Sequence, residues 1–191
     1  MRTQNVMIVG VGGQGTLLAS KLLGKILLKK GYDVKVSEVH GMSQRGGSVE
    51  TYVRYGDKVY SPIIEEGEAD YILSFELLEA ARWAKYLRAD GVLITNTQQM
   101  NPMPVVMGAA QYPENIVEKM SAAGARVDAG DFLKVANEAG SSKAVNIALL
   151  GRFSNYFPEI GEDVWMDAIE ANVPPKFLEL NKKAFALGKN A

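Results

Sequence analysis

Cysteine is absent from this chain of 191 residues, and histidine occurs once, as His40. Without thiols the protein forms no disulfide bond and offers no thiolate to an iron–sulfur cluster or a zinc ion. One imidazole is also too few for a histidine-rich metal site. A redox centre that needs sulfur ligands must therefore be carried by another polypeptide, and we expect this chain alone to bind no cofactor.

The chain also lacks an excess of positive charge and any long hydrophobic run. Its 21 Lys and Arg side chains nearly balance its 22 Asp and Glu side chains, which gives a net charge of -1. A nucleic-acid-binding surface needs clustered basic residues, and a membrane span needs about 20 consecutive apolar residues. We therefore expect a cytoplasmic protein with no nucleic-acid partner and no membrane partner.

What the sequence does contain is the start of an α/β fold. Residues 5–10 form a nearly continuous apolar run, which is typical of a strand buried on both faces of a sheet. Gly10, Gly12 and Gly15 then fit the pattern G-x-G-x-x-G, and a helical pattern of apolar residues follows. Residues 32–39 supply a second strand. Strand, glycine turn, helix and strand in this order predict a doubly wound sheet.

Later segments extend the same architecture. The sequence predicts four further strands, at 48–55, 69–75, 91–97 and 125–131. A turn signal after the first of these predicts a hairpin whose second arm is 58–63, and the prolines of 101–108 favour an extended segment. From Pro113 onward the pattern is mainly helical. We therefore expect residues 1–191 to form one α/β domain, a single doubly wound, mostly parallel, Rossmann-like sheet with a helical C-terminal third.

The glycine turn has two interpretations. Glycines let a ligand approach the backbone, and the N-terminus of a helix offers free N–H groups to an anion. A tight strand-to-helix turn without a ligand is an equally good interpretation. Glu38 lies near the place where a dehydrogenase holds a ribose, but no hydride-transfer residues follow, which disfavours a dehydrogenase. The candidate ligand- or partner-binding residues of this turn are Gly10, Gly12, Gly13, Gln14 and Gly15.

A second polar, glycine-flanked stretch follows the second predicted strand. The guanidinium of Arg45 is a planar fork of donors that suits a carboxylate or a phosphate, although a structural ion pair is equally compatible. A lone histidine at the end of a strand is more often structural than catalytic. No catalytic residue is identified. The candidate ligand- or partner-binding residues here are His40, Ser43, Gln44, Arg45 and Gly46.

Together the two glycine motifs carry a resemblance to a known family. The sequences VGVGGQG at 9–15 and EVHGMSQRGGSV at 38–49 resemble the gamma-type subunits of the 2-oxoacid:ferredoxin oxidoreductase family. The similarity runs over most of the chain and weakens in the helical tail. Pyruvate- and oxoglutarate-type members tend to carry an acidic residue shortly before the arginine of the second motif. Here Ser43 and Gln44 stand instead, which is similar to the indolepyruvate branch.

The resemblance implies a role for the chain inside a larger enzyme. It implies a non-redox subunit, inactive alone, of an enzyme that oxidatively decarboxylates indolepyruvate or another arylpyruvate to an acyl-CoA. Thiamine diphosphate and iron–sulfur clusters would lie on a large partner subunit, CoA would be a co-substrate, and electrons would leave to ferredoxin through the complex. The absence of cysteine agrees with that division. A pyruvate- or 2-oxoglutarate-specific complex and a free-standing nucleotide-binding protein remain as alternatives.

We expect the two glycine motifs to lie side by side, because both should follow the carboxyl ends of neighbouring strands, where open α/β sheets bind their ligands. Backbone N–H groups of the first turn and the guanidinium of Arg45 would then converge on one anionic group. That group would be either a phosphate of CoA or a carboxylate of the partner. A charge-assisted contact of this kind contributes on the order of 1.5 to 3 kcal/mol.

Overall fold

The computed structural model describes residues 1–40 and 47–191, apart from the side chain of His40. The strands of the described part are β1 (Gln4–Val11), β2 (Asp33–His40), β3 (Ser48–Gly56), β4 (Ala69–Ser74), β5 (Leu87–Asn96) and β6 (Arg126–Gly130). The helices are α1 (Thr16–Lys29), α2 (Leu77–Trp83), α3 (Met103–Val106), α4 (Ile116–Ala122), α5 (Phe132–Ala139), α6 (Val145–Ser154), α7 (Glu162–Glu170) and α8 (Leu178–Lys189). Within these ranges no helix is long and apolar enough to cross a membrane.

All six strands form one sheet in the order β2-β3-β1-β4-β5-β6. The four strands β1, β4, β5 and β6 are parallel to one another. Strand β3 runs antiparallel to both of its neighbours, β1 and β2. The predicted α/β fold class is confirmed, with one reversed strand in the sheet. Our expectation that β1 and β2 are neighbours is wrong, because β3 lies between them. β2 and β3 pair antiparallel because the connection between them is too short for a parallel crossover, which needs about a dozen residues or more.

Helices cover both faces of the sheet, as the doubly wound interpretation requires. On one face Val6 and Ile8 of β1 pack in the core formed with α1, α5, α6, α7 and α8. On the other face Met7 and Val9 pack with α2 and α4. Successive side chains of a strand point to opposite faces, so β1 is apolar at every one of these positions. This explains why its sequence reads as a continuous hydrophobic run.

Helices α6 and α8 of the C-terminal part are in close backbone contact. A Cβ atom built on Gly188 of α8 would lie 1.9 Å from the carbonyl oxygen of Ala148 in α6. A Cβ on Gly151 of α6 would lie 2.1 Å from the carbonyl oxygen of Phe185 in α8. The two backbones therefore meet directly, and both contact positions require glycine.

The expected second arm of a hairpin at 58–63 is wrong. No strand forms there, because β3 already pairs with β1 on one edge and with β2 on the other. The segment is instead held by side chains: Arg54 donates from Nη1 to the carbonyl oxygens of Ser61 and Ile63, at 3.0 and 2.7 Å. The amide of Val59 donates to Asp33 at 3.0 Å. A turn signal after a strand does not produce a hairpin when that strand has no free edge.

The expected extended conformation of 101–108 is also wrong, since α3 occupies Met103–Val106. Pro102 is the N-cap of this short helix, and Pro104 lies in its first turn. A proline in the first turn costs a helix no hydrogen bond, because the first N–H groups have no intrahelical acceptor. The prolines exclude a long helix here, but they are compatible with the single turn of α3.

We expect Gly188→Ala to destabilise the protein, because the methyl group would force α6 and α8 apart. Overpacking of this kind costs about 1–3 kcal/mol. The matched control is Gly24→Ala in the middle of α1, where a Cβ would lie 3.5 Å from Val36 Cγ2, an ordinary contact. That change should be neutral or stabilise by up to about 1 kcal/mol through helix propensity. Urea unfolding of the two variants measures the difference, and equal effects would contradict the close helix contact.

Candidate functional site

The first glycine motif forms the turn between β1 and α1. Gly13 and Gly15 have φ angles of 98° and 88°, in the left-handed region that glycine adopts without steric cost. A Cβ on Gly15 would also lie 2.5 Å from Nδ2 of Asn146 in α6, whereas a Cβ on Gly13 would meet no atom within 4 Å. Gly15 is therefore required by both backbone conformation and packing, and Gly13 borders open space.

The side chain of Gln14 folds back and closes this turn. Its Oε1 accepts a hydrogen bond from the amide of Val11 at 2.8 Å, and its Nε2 donates to the carbonyl oxygen of Phe75 at 3.1 Å. Phe75 directly follows β4, so one carboxamide joins the carboxyl ends of β1 and β4. A Cβ on Gly10 would lie 2.9 Å from Gln14 Oε1. Gly10 thus makes room for this side chain.

Several backbone donors of the turn remain without an acceptor. The Gln14 amide donates to the Val11 carbonyl oxygen at 3.2 Å, but the amides of Gly13, Gly15 and Thr16 find no acceptor within residues 1–40 and 47–191. Such donors at the start of a helix carry partial positive charge. The turn can therefore bind an anion through its backbone.

Gly13 and Gly15 line an open crevice of about 560 Å³ beyond the carboxyl ends of the strands. The residues that line it are Gly12, Gly13, Gln14, Gly15, Gln98, Met100, Leu133, Ser142, Lys143, Val145 and Asn146. Among the described residues, this lining includes Lys143 and no carboxylate. A second, mainly apolar pocket of about 210 Å³ shares Lys143 and Asn146 with the crevice. The site thus combines a positively charged end with an adjoining apolar cavity.

The second glycine motif adjoins the first at Gly47. The amide of Gly12 donates to the carbonyl oxygen of Gly47 at 2.9 Å, and Val11 pairs with Ser48 where β1 meets β3. Ser43, Gln44, Arg45 and Gly46 lie outside the described residues, as does the side chain of His40. Their convergence with the first turn on one anion stays a prediction.

Helix α2 anchors the start of β3 through a buried carboxylate. Glu79, whose side chain is 2% exposed, accepts hydrogen bonds from Arg82 Nη1 at 2.7 Å and Trp83 Nε1 at 3.2 Å. It also accepts a hydrogen bond from Ser48 Oγ. Nearby on β3, burial and the negative charge of Glu79 raise the pKa of Glu50. Ser48 of the second motif is therefore fixed to α2, the helix that follows β4.

A second buried carboxylate, Glu76, supports the rim of the crevice. It caps α2 by accepting from the amide of Glu79 at 2.8 Å. Its Oε1 accepts from the amide of Met100 at 2.9 Å and from the hydroxyl of Tyr112 at 2.5 Å. Burial and this hydrogen bond to Glu76 raise the pKa of Tyr112. Glu76 thereby fixes both ends of the segment between β5 and α4.

The structure brings four of the predicted residues, Gly12, Gly13, Gln14 and Gly15, to the crevice. The sequence interpretation missed Gln98, Met100, Lys143 and Asn146. Asn146 carried a usable signal, because it is a polar residue inside the apolar run of α6 and it is buried there. No group of three His, Cys, Asp or Glu that could hold a metal ion occurs among the described residues.

The comparison with known families identifies the chain. The model of a family described as pyruvate ferredoxin/flavodoxin oxidoreductase matches residues 5–191. The chain therefore belongs to this family, and the family resemblance expected from the two glycine motifs is confirmed.

Individual relatives agree with this assignment. The chain is 45% identical to indolepyruvate oxidoreductase subunit IorB of Thermococcus kodakarensis, over 100% of this chain and 96% of that protein. The gamma subunit of a keto/oxoacid ferredoxin oxidoreductase from Geobacter sulfurreducens has a TM-score of 0.72 at 23% identity, over 98% of this chain and 96% of that chain. A 2-oxoglutarate:ferredoxin oxidoreductase from Magnetococcus marinus has a TM-score of 0.76 at 17% identity. The match covers 100% of this chain and 31% of the chain of that enzyme. These two structures support the fold.

We expect Gly15→Ala to destabilise the protein more than Gly13→Ala. Both changes place a Cβ at a positive φ, which costs roughly 1–2 kcal/mol, but only the first also meets Asn146. Adding Asn146→Ala should therefore relieve part of the Gly15→Ala defect and none of the Gly13→Ala defect. A double-mutant cycle in urea unfolding should give a coupling of about 1 kcal/mol for the first pair. Additive effects at Gly15 and Asn146 would show that α6 does not close over the turn.

Proposed function

We propose that the chain is the non-redox subunit of a ferredoxin oxidoreductase that acts on indolepyruvate or another arylpyruvate. The observation that carries this proposal is the 45% identity, along the whole chain, to a subunit named for indolepyruvate. The enzyme would oxidatively decarboxylate the 2-oxoacid, form an acyl-CoA and pass the electrons to ferredoxin. We further propose that the complex is cytoplasmic.

The residues of this chain favour a division of labour with a larger subunit. The chain has no cysteine, so it does not fit an iron–sulfur cluster held by thiolates. We propose that the clusters and thiamine diphosphate are bound by the large subunit, which also passes electrons to ferredoxin. The chain would then be inactive alone, and its contribution would be to complete a binding site in the assembled enzyme.

We propose that the crevice holds a phosphate group of CoA. The amides of Gly13, Gly15 and Thr16, which have no acceptor among the described residues, and the ammonium of Lys143 suit an anion. The described part of the lining holds no carboxylate that would repel it. The adjoining apolar pocket would suit a less polar part of the same ligand. The Magnetococcus marinus relative is described with coenzyme A bound, which makes CoA a reasonable ligand to test here.

The proposed function predicts that the chain and the large subunit copurify when they are expressed together. The complex should reduce a viologen dye with indolepyruvate and CoA, and neither subunit should do so alone. With pyruvate or 2-oxoglutarate we expect kcat/KM to be at least about tenfold lower, which corresponds to about 1.4 kcal/mol of transition-state stabilisation. Full activity of the large subunit alone, or a preference for pyruvate, would contradict the proposal.

We expect Lys143→Ala to raise the KM of the complex for CoA about tenfold, with the KM for indolepyruvate unchanged. The ammonium of Lys143 is exposed, so its contribution should lie at the lower end of the range for charge-assisted contacts. The control is Lys21→Ala, which removes an exposed lysine of α1 that does not line the crevice. Steady-state kinetics of the assembled enzyme give both constants. An unchanged KM for CoA would place the CoA phosphates elsewhere.

A further inference from the structure

The segment between β5 and α4 exposes a group of hydrophobic side chains. Met103, Val106 and Met107, which we call the tip, are 65%, 64% and 71% exposed. Two belong to α3, and the third is its C-cap. Scattered single apolar residues are normal on a protein surface, but three large ones on one short helical turn form a patch of the kind that marks a contact site.

The tip also stands in an uncharged part of the chain. Residues 97–113 contain no Asp, Glu, Lys or Arg, although 23% of the whole chain is charged. Methionine is flexible and polarizable, so it adapts to an apolar surface of irregular shape. The composition therefore fits an apolar partner surface and does not fit a charged one.

The tip is presented on a fixed base. The Leu77 amide donates to the Gln98 carbonyl oxygen at 3.0 Å, and the buried carboxylate of Glu76 accepts from Met100 and Tyr112 on the two sides of the tip. Around the tip, the amides of Ala109 and Ala110 both donate to the carbonyl oxygen of Pro104, at 2.9 and 3.1 Å. A preformed surface of this kind loses little conformational entropy on binding.

The tip lies beside the crevice. Gln98 and Met100 line the crevice, and α3 begins three residues after Met100. A partner that covered the tip would therefore extend along the rim of the site at which we propose that CoA binds. In the Magnetococcus marinus relative the same fold makes up 31% of the chain, so that protein carries the rest of its polypeptide as a covalent neighbour of the fold.

We infer that the tip docks into an apolar surface of the large, thiamine- and cluster-bearing subunit. This inference rests on the proposed function, because it needs that subunit to exist. The large subunit is favoured over a second copy of this chain because the tip borders the crevice that the large subunit must reach to complete the site.

The test is a double variant, Val106→Glu with Met107→Glu, which places two charges on the tip. Both side chains are exposed, so the melting temperature of the free chain should stay unchanged. The dissociation constant for the purified large subunit, measured by biolayer interferometry, should rise at least tenfold. Val106→Asn with Met107→Gln removes the apolar contact without adding charge and should weaken binding in the same direction.

The matched control is Leu28→Glu, which changes a 59% exposed apolar residue at the far end of α1. It should bind the large subunit within about twofold of wild type. Tip variants that bind like wild type would overturn the docking inference and leave the proposed function intact, whereas wild-type chain that does not bind the large subunit would overturn both. If the free chain dimerises, and the tip variants abolish the dimer without affecting large-subunit binding, the occupant is a second copy and the inference is wrong.

Discussion

The carboxamide of Gln14 joins two parallel strands at the point where their backbones separate. β1 and β4 are paired from Val6 to Val9, and the amide of Phe75 makes one further bond, to the Val9 carbonyl oxygen, at 2.9 Å. Beyond that point the side chain of Gln14 connects the strands. Its Oε1 accepts from the Val11 amide, and its Nε2 donates to the Phe75 carbonyl oxygen. Because a side chain satisfies these groups, the crevice can open between the strands without leaving buried backbone groups unpaired. The same side chain lines the crevice, so this joint fixes the turn at the crevice edge.

Some of the fold could be predicted from local sequence, and the errors have one physical origin. The apolar run of β1 and the alternation of β3 gave correct strands, since burial on two faces or one face leaves a direct pattern in the sequence. The hairpin arm expected at 58–63 failed because both edges of β3 were already paired, one with β1 and the other with β2. The extended segment expected at 101–108 failed because a proline costs nothing in the first turn of a helix. Local patterns do not report which edges and which helix positions tertiary structure leaves available.

The candidate site likewise contains residues that could be predicted from sequence and residues that could not. Gly13 and Gly15 could be found from sequence because a positive φ and a close approach select glycine at fixed spacing. Lys143 could not, because its distance from the turn is set by tertiary structure, and Asn146 offered only its polar position inside the apolar run of α6. Gly151 and Gly188 show the same limit, because their role appears only when α6 and α8 are in contact. Glu76 resembles any helix-capping acid in the sequence, and only the structure shows that it also accepts from Met100 and Tyr112.

The position of β3 between β1 and β2 has a consequence for how the chain is made. In the usual unit of strand, helix and parallel strand, the first two strands pair with each other, and the unit can close early. Here β1 pairs with residues 48–56 and 69–74, and β2 pairs with 48–56. The apolar strand at the N-terminus therefore emerges from the ribosome well before either of its partners. At synthesis rates of about 5–20 residues per second the delay is on the order of several seconds. During that time the apolar side chains of β1 have no partner strand against which to be buried.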